Sequence, residues 1–199
     1  MFNRLIEIFL KFPGIGPRQA KRFAYFLAGQ DAKFLKDFAD NILEIKKDIK
    51  QCDSCFRFYA GPQCEICSNI NRDKNLLMIV EKDVDLENIE KAGIYNGKYF
   101  VLGGTLSLTN SKNPPAGGLR FKELFNKVQK AKPLEIILAT SATAEGENTS
   151  LYIEKILEPL RQSQGKHIKI TRLGRGLSTG TELEYSDSQT ISNALKNRK

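Results

Sequence analysis

Four cysteines carry the most specific chemistry in the chain. Cys52, Cys55, Cys64 and Cys67 are its only cysteines, and they form two Cys-x2-Cys pairs separated by eight residues. Each pair has the reach to clasp one edge of a tetrahedral ion. Four soft thiolates with no open position are the ligand set of structural zinc. Two disulfides, a redox Cys-x-x-Cys or an iron–sulfur cluster are the alternatives. Arg4 and Glu7 interrupt the apolar N-terminal stretch and no small-residue cleavage site follows, so no secretory signal is expected. A reducing compartment then disfavours disulfides. The compact paired spacing favours zinc over iron, as one ion per chain that supports folding and not catalysis.

A second pattern, Pro13-Gly14-Ile15-Gly16-Pro17, is followed by Arg18, Lys21 and Arg22. Gly14 and Gly16 are expected to let the turn take backbone angles closed to other residues. Pro17 suits the first turn of the next helix, whose unpaired N–H groups attract a phosphate. Arg18 and Arg22, four apart, share one helical face. This resembles a helix-hairpin-helix motif, which binds DNA without reading its sequence. The alternative is a tight interhelical turn with a solvated basic face.

The third pattern is acidic. Glu81 ends the run LLMIV, and Glu145-Gly146-Glu147 follows LEIILAT. Carboxylates at strand ends of a parallel sheet converge at its carboxyl edge, where α/β proteins place their sites. This resembles a Toprim domain, in which one glutamate and a later acidic pair hold magnesium and manage protons in topoisomerases and primases. Glu-x-Glu departs from the usual DxD of that pair, and a solvated acidic face is the alternative. His167 is the only histidine, so Ser-His-Asp chemistry has no support; beside lysines it is expected at a surface or strand edge. No GxxxxGK[ST] run occurs, which argues against ATP hydrolysis.

The elements that must position these groups follow from length and periodicity. The chain has 199 residues, 41% hydrophobic and 27% charged, an ordinary globular mixture of one or two domains. Its longest aliphatic run, Leu76 to Val80, is far short of the ~20 residues that cross a bilayer. Net charge is +8 and looks polarised: Lys11, Arg18, Lys21 and Arg22 lie in one acid-free stretch, and Lys166, Lys169, Arg172 and Arg175 in another. Glu81, Asp83, Asp85 and Glu87 form an acidic knot opposite them. Helices are expected at 3–12, 17–28 and about 31–48, the last with an apolar stripe of Phe34, Leu35, Phe38, Ile42, Leu43 and Ile45. Strands at 76–80, 99–104, 134–140 and 167–173 alternate with helices at about 85–92, 119–130 and 151–162, the pattern of a parallel α/β sheet. A strand-like Glu182-Leu183-Glu184-Tyr185 and a short helix capped near Asp187 or Ser188 close the chain.

In this order, a helical hairpin, a four-cysteine site, a Toprim segment and a short tail, the chain resembles the RecR family of bacterial recombination mediators over essentially its whole length. PGIGPRQAKRFAYFL (13–27), CEICSNINRD (64–73), ILATSATAEGENTSLYI (137–153) and ITRLGRGLSTGTELEYSDSQTISNAL (170–195) carry the likeness. Ser178, Thr181 and the loop 106–118 depart from the family pattern. The implied fold class is α+β and multidomain: a helix-hairpin-helix region at 1–50, a C4-type zinc finger at 51–74, an α/β Toprim domain with a parallel sheet at 75–172, and a strand-helix segment at 173–199. The implied protein is a DNA clamp and not an enzyme. It binds single- and double-stranded DNA without sequence preference and acts with RecO or RecF to load RecA on gapped single strands. It assembles as a dimer or ring-like tetramer in the cytoplasm, at the nucleoid and away from membranes. Gly14, Gly16, Arg18, Lys21 and Arg22 are the implied DNA contacts, and Glu81, Glu145 and Glu147 an acidic patch for a basic partner, RecO first. The rivals are a metal-dependent Toprim nuclease or topoisomerase-like enzyme, and a zinc-stabilised scaffold that never touches DNA. A topoisomerase needs a tyrosine nucleophile on a separate domain, and the six tyrosines here have no spare domain to present one.

Overall fold

The chain folds into two units, residues 1–50 and 51–199. The computed structural model describes residues 2–107, 118–162, 168–177 and 179–197. Most of the loop 106–118, His167 and Ser178 lie outside the described residues.

The first unit holds α1 (Phe2–Phe9), α2 (Pro17–Ala28) and α3 (Ala32–Asp48). α1 ends earlier than its periodicity predicts: Lys11 and Phe12 donate to the carbonyls of Ile8 and Phe9, three residues back, so its last turn tightens. Ala20, Ala24 and Leu27 form the buried stripe of α2. The two alanines leave room for close packing, and Phe9 meets Phe23 edge-on at 5.5 Å while Phe2 meets Tyr25 at 4.8 Å. α3 is capped by Asp31, whose carboxylate accepts from the Phe34 N–H at 2.7 Å. Its apolar stripe forms as expected, but no residue of α3 is buried.

In the second unit, β1 (Ile49–Gln51, running across the boundary) and β2 (Phe58–Ala60) flank the first cysteine pair, and α4 (Glu65–Ser68) carries the second. Four parallel strands follow: β3 (Asp73–Val80), β4 (Gly97–Val101), β5 (Glu135–Ala139) and β6 (Lys169–Arg172), in the order β4-β3-β5-β6. β3 is central, with Val80 opposite Val101 on one side and Ala139 on the other. The connecting helices are α5 (Asp83–Ala92), α6 (Phe121–Ala131) and α7 (Ala144–Gln162). Strand residues alternate between faces. Leu77, Ile79, Phe100, Ile136 and Leu138 pack with Leu124 and Val128 of α6 and Ile153 and Leu157 of α7. Met78, Val80, Tyr99, Val101 and Ala139 pack instead with Leu86 of α5 and with Cys52, Cys55, Cys64 and Ile66. The cysteine segment is therefore a layer of the fold.

Three sequence expectations are corrected. Glu182–Tyr185 is not a strand: Leu183–Tyr185 is a 3-10 turn, closed by the Ser186 N–H on the Leu183 carbonyl, which leads into α8 (Ser188–Lys196). α7 begins at Ala144, seven residues before the predicted start, and so contains Glu145 and Glu147. β4 stops at Val101 because Gly103 and Gly104 take positive φ and turn the chain off the sheet. Ile79, fully buried on the central strand, measures what the sheet core contributes. Ile79→Ala is expected to lower unfolding free energy by about 3 kcal/mol in a denaturant titration. Ile70→Ala, at a position 85% exposed, leaves it unchanged.

Candidate metal centre and nucleic-acid interface

Each cysteine pair sits on a hydrogen-bonded turn. The Phe56 N–H donates to the Cys52 carbonyl at 2.8 Å, and Ser68 to the Cys64 carbonyl at 2.9 Å. The turns bring the four Sγ atoms within 4.8 Å of one another. Cys52 and Cys67 stand 3.8 Å apart and Cys55 and Cys64 3.7 Å. No disulfide joins them, and separations of 3.7–3.8 Å are far beyond the ~2.05 Å of a sulfur–sulfur bond. A tetrahedral ion with metal–sulfur bonds of about 2.3 Å requires sulfur–sulfur edges of about 3.8 Å, so the set fits a metal ion of that size. Contact with the Cys67 sulfur, and then burial, raises the Cys55 thiol well above its ordinary value. The same contact draws Cys67 down to about 5, with Lys127 assisting. Burial raises Cys64. Cys52, Cys55 and Cys64 are buried, and Cys67 is the part-exposed member.

In the N-terminal turn, Gly14 has φ +77°, a conformation that favours glycine. Gly16 does not: at φ −89° and ψ 172° it is ordinary extended backbone, contrary to the sequence expectation. Nothing lies within 4 Å of a Cβ at either position, so the backbone of the hairpin is open to an incoming group. Pro17 opens α2, and the first intrahelical bond runs from Ala20 N–H to the Gly16 carbonyl at 2.9 Å. Arg18, Lys21 and Arg22 are exposed, and none has an ion pair among the described residues. This is an uncommitted cationic helix face beside open backbone.

The acids are arranged differently from the expected patch. Glu81 is 5% exposed and accepts the Ser141 N–H at 2.7 Å and the Ser141 hydroxyl at 2.9 Å. Glu147 pairs with Arg172 at 2.8 Å and with Arg175, and Arg172 also reaches Glu154 at 2.9 Å. Glu145 is half-buried and, among the described residues, has no such cation. Between the two glutamates, a Cβ at Gly146 would overlap the Ser141 carbonyl. The acidic knot is likewise committed: Asp83 accepts from Phe58 N–H at 2.7 Å and Asp85 from Lys82 N–H at 2.9 Å. The expected charge polarity is thus halved. Arg172 and Arg175 are neutralised where they stand, and the N-terminal cations are not. Sequence reasoning missed Ser141 and the arginine clasp; the one available signal was Arg172 and Arg175, three apart where the last strand ends.

Three family descriptions match the chain: RecR helix-hairpin-helix over residues 2–46, Toprim domain over 75–174, and RecR C-terminal over 176–199. Proteins named recombination protein RecR are similar along nearly the whole chain. That of Prochlorococcus marinus is 40% identical over 196 residues, 98% of this chain and 94% of the relative. That of Dehalococcoides mccartyi is 39% identical over 196 residues, 98% and 92%. That of Lactococcus lactis is 37% identical over 195 residues, 98% and 94%. Among the described residues, no helix is long and apolar enough to cross a membrane.

The cysteine geometry generates a direct test. Elemental analysis of protein purified without chelator is expected to return one metal ion per chain. Cys64→Ala is expected to lose that ion and melt at markedly lower temperature, since ion binding to such small units contributes on the order of 10 kcal/mol to folding. A metal-free parent of unchanged stability would refute the centre.

Proposed function

From the premise that this chain belongs to the RecR family, we propose that it is a DNA-binding mediator of recombinational repair and catalyses no reaction. The observation that supports this best is the exposed face of Arg18, Lys21 and Arg22, which has no ion pair among the described residues, beside the open backbone of Gly14 and Gly16 in the segment that matches the family's helix-hairpin-helix. Cations on a helix face, together with helix N-terminal N–H groups, bind phosphate oxygens, which are the same in every sequence and in single or double strands. The metal is zinc, one per chain, held by Cys52, Cys55, Cys64 and Cys67. Tetrathiolate softness and the 3.7–3.8 Å sulfur edges support it.

The reading extends to partners by family resemblance. The protein acts with RecO or RecF to load RecA onto gapped single-stranded DNA, at the nucleoid in the cytoplasm, as a dimer or ring-like tetramer. The exposed apolar stripe of α3 (Phe34, Phe38, Ile42 and Leu43) is surface of the kind that copies of a chain cover. The segments 1–50, 51–74, 75–172 and 173–199 divide these tasks. The docking acids expected at the sheet edge reduce in practice to Glu145, because Glu81 and Glu147 are engaged. The same engagement weighs against the nuclease or topoisomerase-like alternative, since a carboxylate held by two arginines is a poor magnesium ligand.

Arg18→Glu with Arg22→Glu is expected to abolish gel retardation of both single- and double-stranded DNA while the melting temperature holds. Retardation by the parent weakens steeply as salt rises, with no dependence on base sequence. Retardation equal to the parent's would reduce the hairpin to a turn. Glu145→Lys is expected to weaken RecO association on the order of tenfold, about 1.4 kcal/mol, while free-DNA retardation is retained. Magnesium-dependent nicking by the parent that disappears in this variant would promote the enzyme in place of the mediator.

A further inference from the structure

Two lysines, 29 residues apart in sequence, each grip one cysteine turn by its backbone. Lys98, in β4, donates through Nζ to the carbonyls of Ile66 at 2.9 Å, Cys67 at 3.1 Å and Asn69 at 2.9 Å. Those bonds use all three ammonium protons and converge on the turn that carries Cys64 and Cys67. Lys127, in α6, donates to the Ser54 carbonyl at 2.7 Å and the Ser54 hydroxyl at 3.0 Å, inside the turn that carries Cys52 and Cys55. Both lysines are half-buried and, among the described residues, neither is paired with a carboxylate. Both also line a cavity of about 240 Å³ together with Ser54, Lys74, Leu77 and Cys67. Cys67 is the part-exposed sulfur of the set, so this cavity is the side from which a reagent approaches the centre.

Four thiolates around a divalent cation carry a net charge of −2. In a half-buried site that charge is poorly screened by water, and unbalanced it makes the sulfurs more basic, more nucleophilic and quicker to release the ion. A carbonyl needs only a neutral donor, and each turn has instead received an ammonium group that no acid neutralises. We propose that Lys98 and Lys127 are positioning residues of the metal centre: each fixes one cysteine turn from the sheet unit, and their two charges offset the tetrathiolate and set how tightly it holds its ion. This rests on the zinc reading above.

The test uses the full-length zinc protein. Zinc content is measured first, then first-order zinc release to a chromogenic chelator and thiol alkylation by iodoacetamide, well below the melting temperature. Lys98→Gln and Lys127→Gln keep a donor and remove the charge. Each is expected to release zinc and alkylate about tenfold faster than the parent, the usual cost of losing an outer-shell partner. Lys127→Arg is expected to match the parent. Ser54→Ala deletes the Lys127–hydroxyl bond but leaves the charge, and Lys74→Gln removes a charge that holds no cysteine turn; both are expected to match the parent as well. Parent-like release from both Gln variants overturns the proposal. So does Ser54→Ala releasing zinc about tenfold faster than the parent, a comparison that stands even where a Gln variant does not fold. Zinc absent from the parent fails the zinc reading and this proposal together, whereas one zinc per chain with unchanged release fails this proposal alone.

Discussion

A carboxylate buried at the end of the central strand organises the carboxyl edge of the sheet. Burying an unpaired charge costs several kcal/mol, so Glu81 is tolerable only where donors converge on it. Its carboxylate takes the N–H and hydroxyl of Ser141, from the loop after β5, and its backbone carbonyl takes the Gly103 N–H, from the loop after β4. One residue therefore fixes the exits of both neighbouring strands. The Ser141 loop fixed in this way closes on Gly146, where no side chain fits, and so sets where α7 begins. Thr149 in α7 then accepts the Leu106 N–H at 2.8 Å and donates to the Glu145 carbonyl at 2.6 Å. Glu81 is thus a keystone of the backbone at this edge of the sheet.

The opposite face of the sheet shows a parallel economy of charge. Arg72, near the end of the cysteine segment, pairs with Glu90 of α5 and donates to the Gly97 carbonyl at 3.0 Å, and Glu90 accepts the Tyr99 hydroxyl at 2.7 Å. Burial, and then the hydrogen bond to Glu90, raises the Tyr99 phenol above its ordinary range. The bond to Glu90 likewise raises the Arg72 guanidinium. The phenol thus stays protonated and the guanidinium charged across the physiological range. With Lys98 and Lys127, this network ties the cysteine layer to α5, β4 and α6 through polar contacts that only one arrangement satisfies.

Much of this was legible in the chain. The spacing of Cys52, Cys55, Cys64 and Cys67 identified the cluster because two Cys-x2-Cys pairs have few other uses, and the aliphatic runs at 76–80 and 134–140 named the central strands. What stayed hidden depends on contacts distant in sequence. The start of α7 gives no periodic signal because Ala144 to Gly146 has no apolar period; Thr143 begins it instead, its hydroxyl accepting the Gly146 N–H at 3.2 Å and its carbonyl the Glu147 N–H at 2.9 Å. Glu182–Tyr185 alternates like a strand, yet it pairs with no strand among the described residues, and Leu183 and Tyr185 remain exposed. The acidic and basic runs read as opposing poles because a sequence shows how many charges there are but not which are paired. The stripe on α3 is plain from its helical period, but nothing in one chain says whether such a stripe is covered.

The sparse burial of the N-terminal unit has a consequence for how it behaves when unliganded. Among its described residues only Ala20, Ala24 and Leu27 are buried, and two of these are too small to bury much area. Apolar burial of that size offsets little of the backbone entropy lost in ordering three helices. This unit is thus a region of low local stability compared with the sheet. Its amides are the ones to exchange with solvent through sub-global opening, while those of β3 and β5 exchange only with unfolding of the sheet. Whatever covers its cationic and apolar faces supplies the missing stability, so the apparent affinity for that ligand contains a term for ordering the helices, and binding carries a correspondingly more negative heat-capacity change.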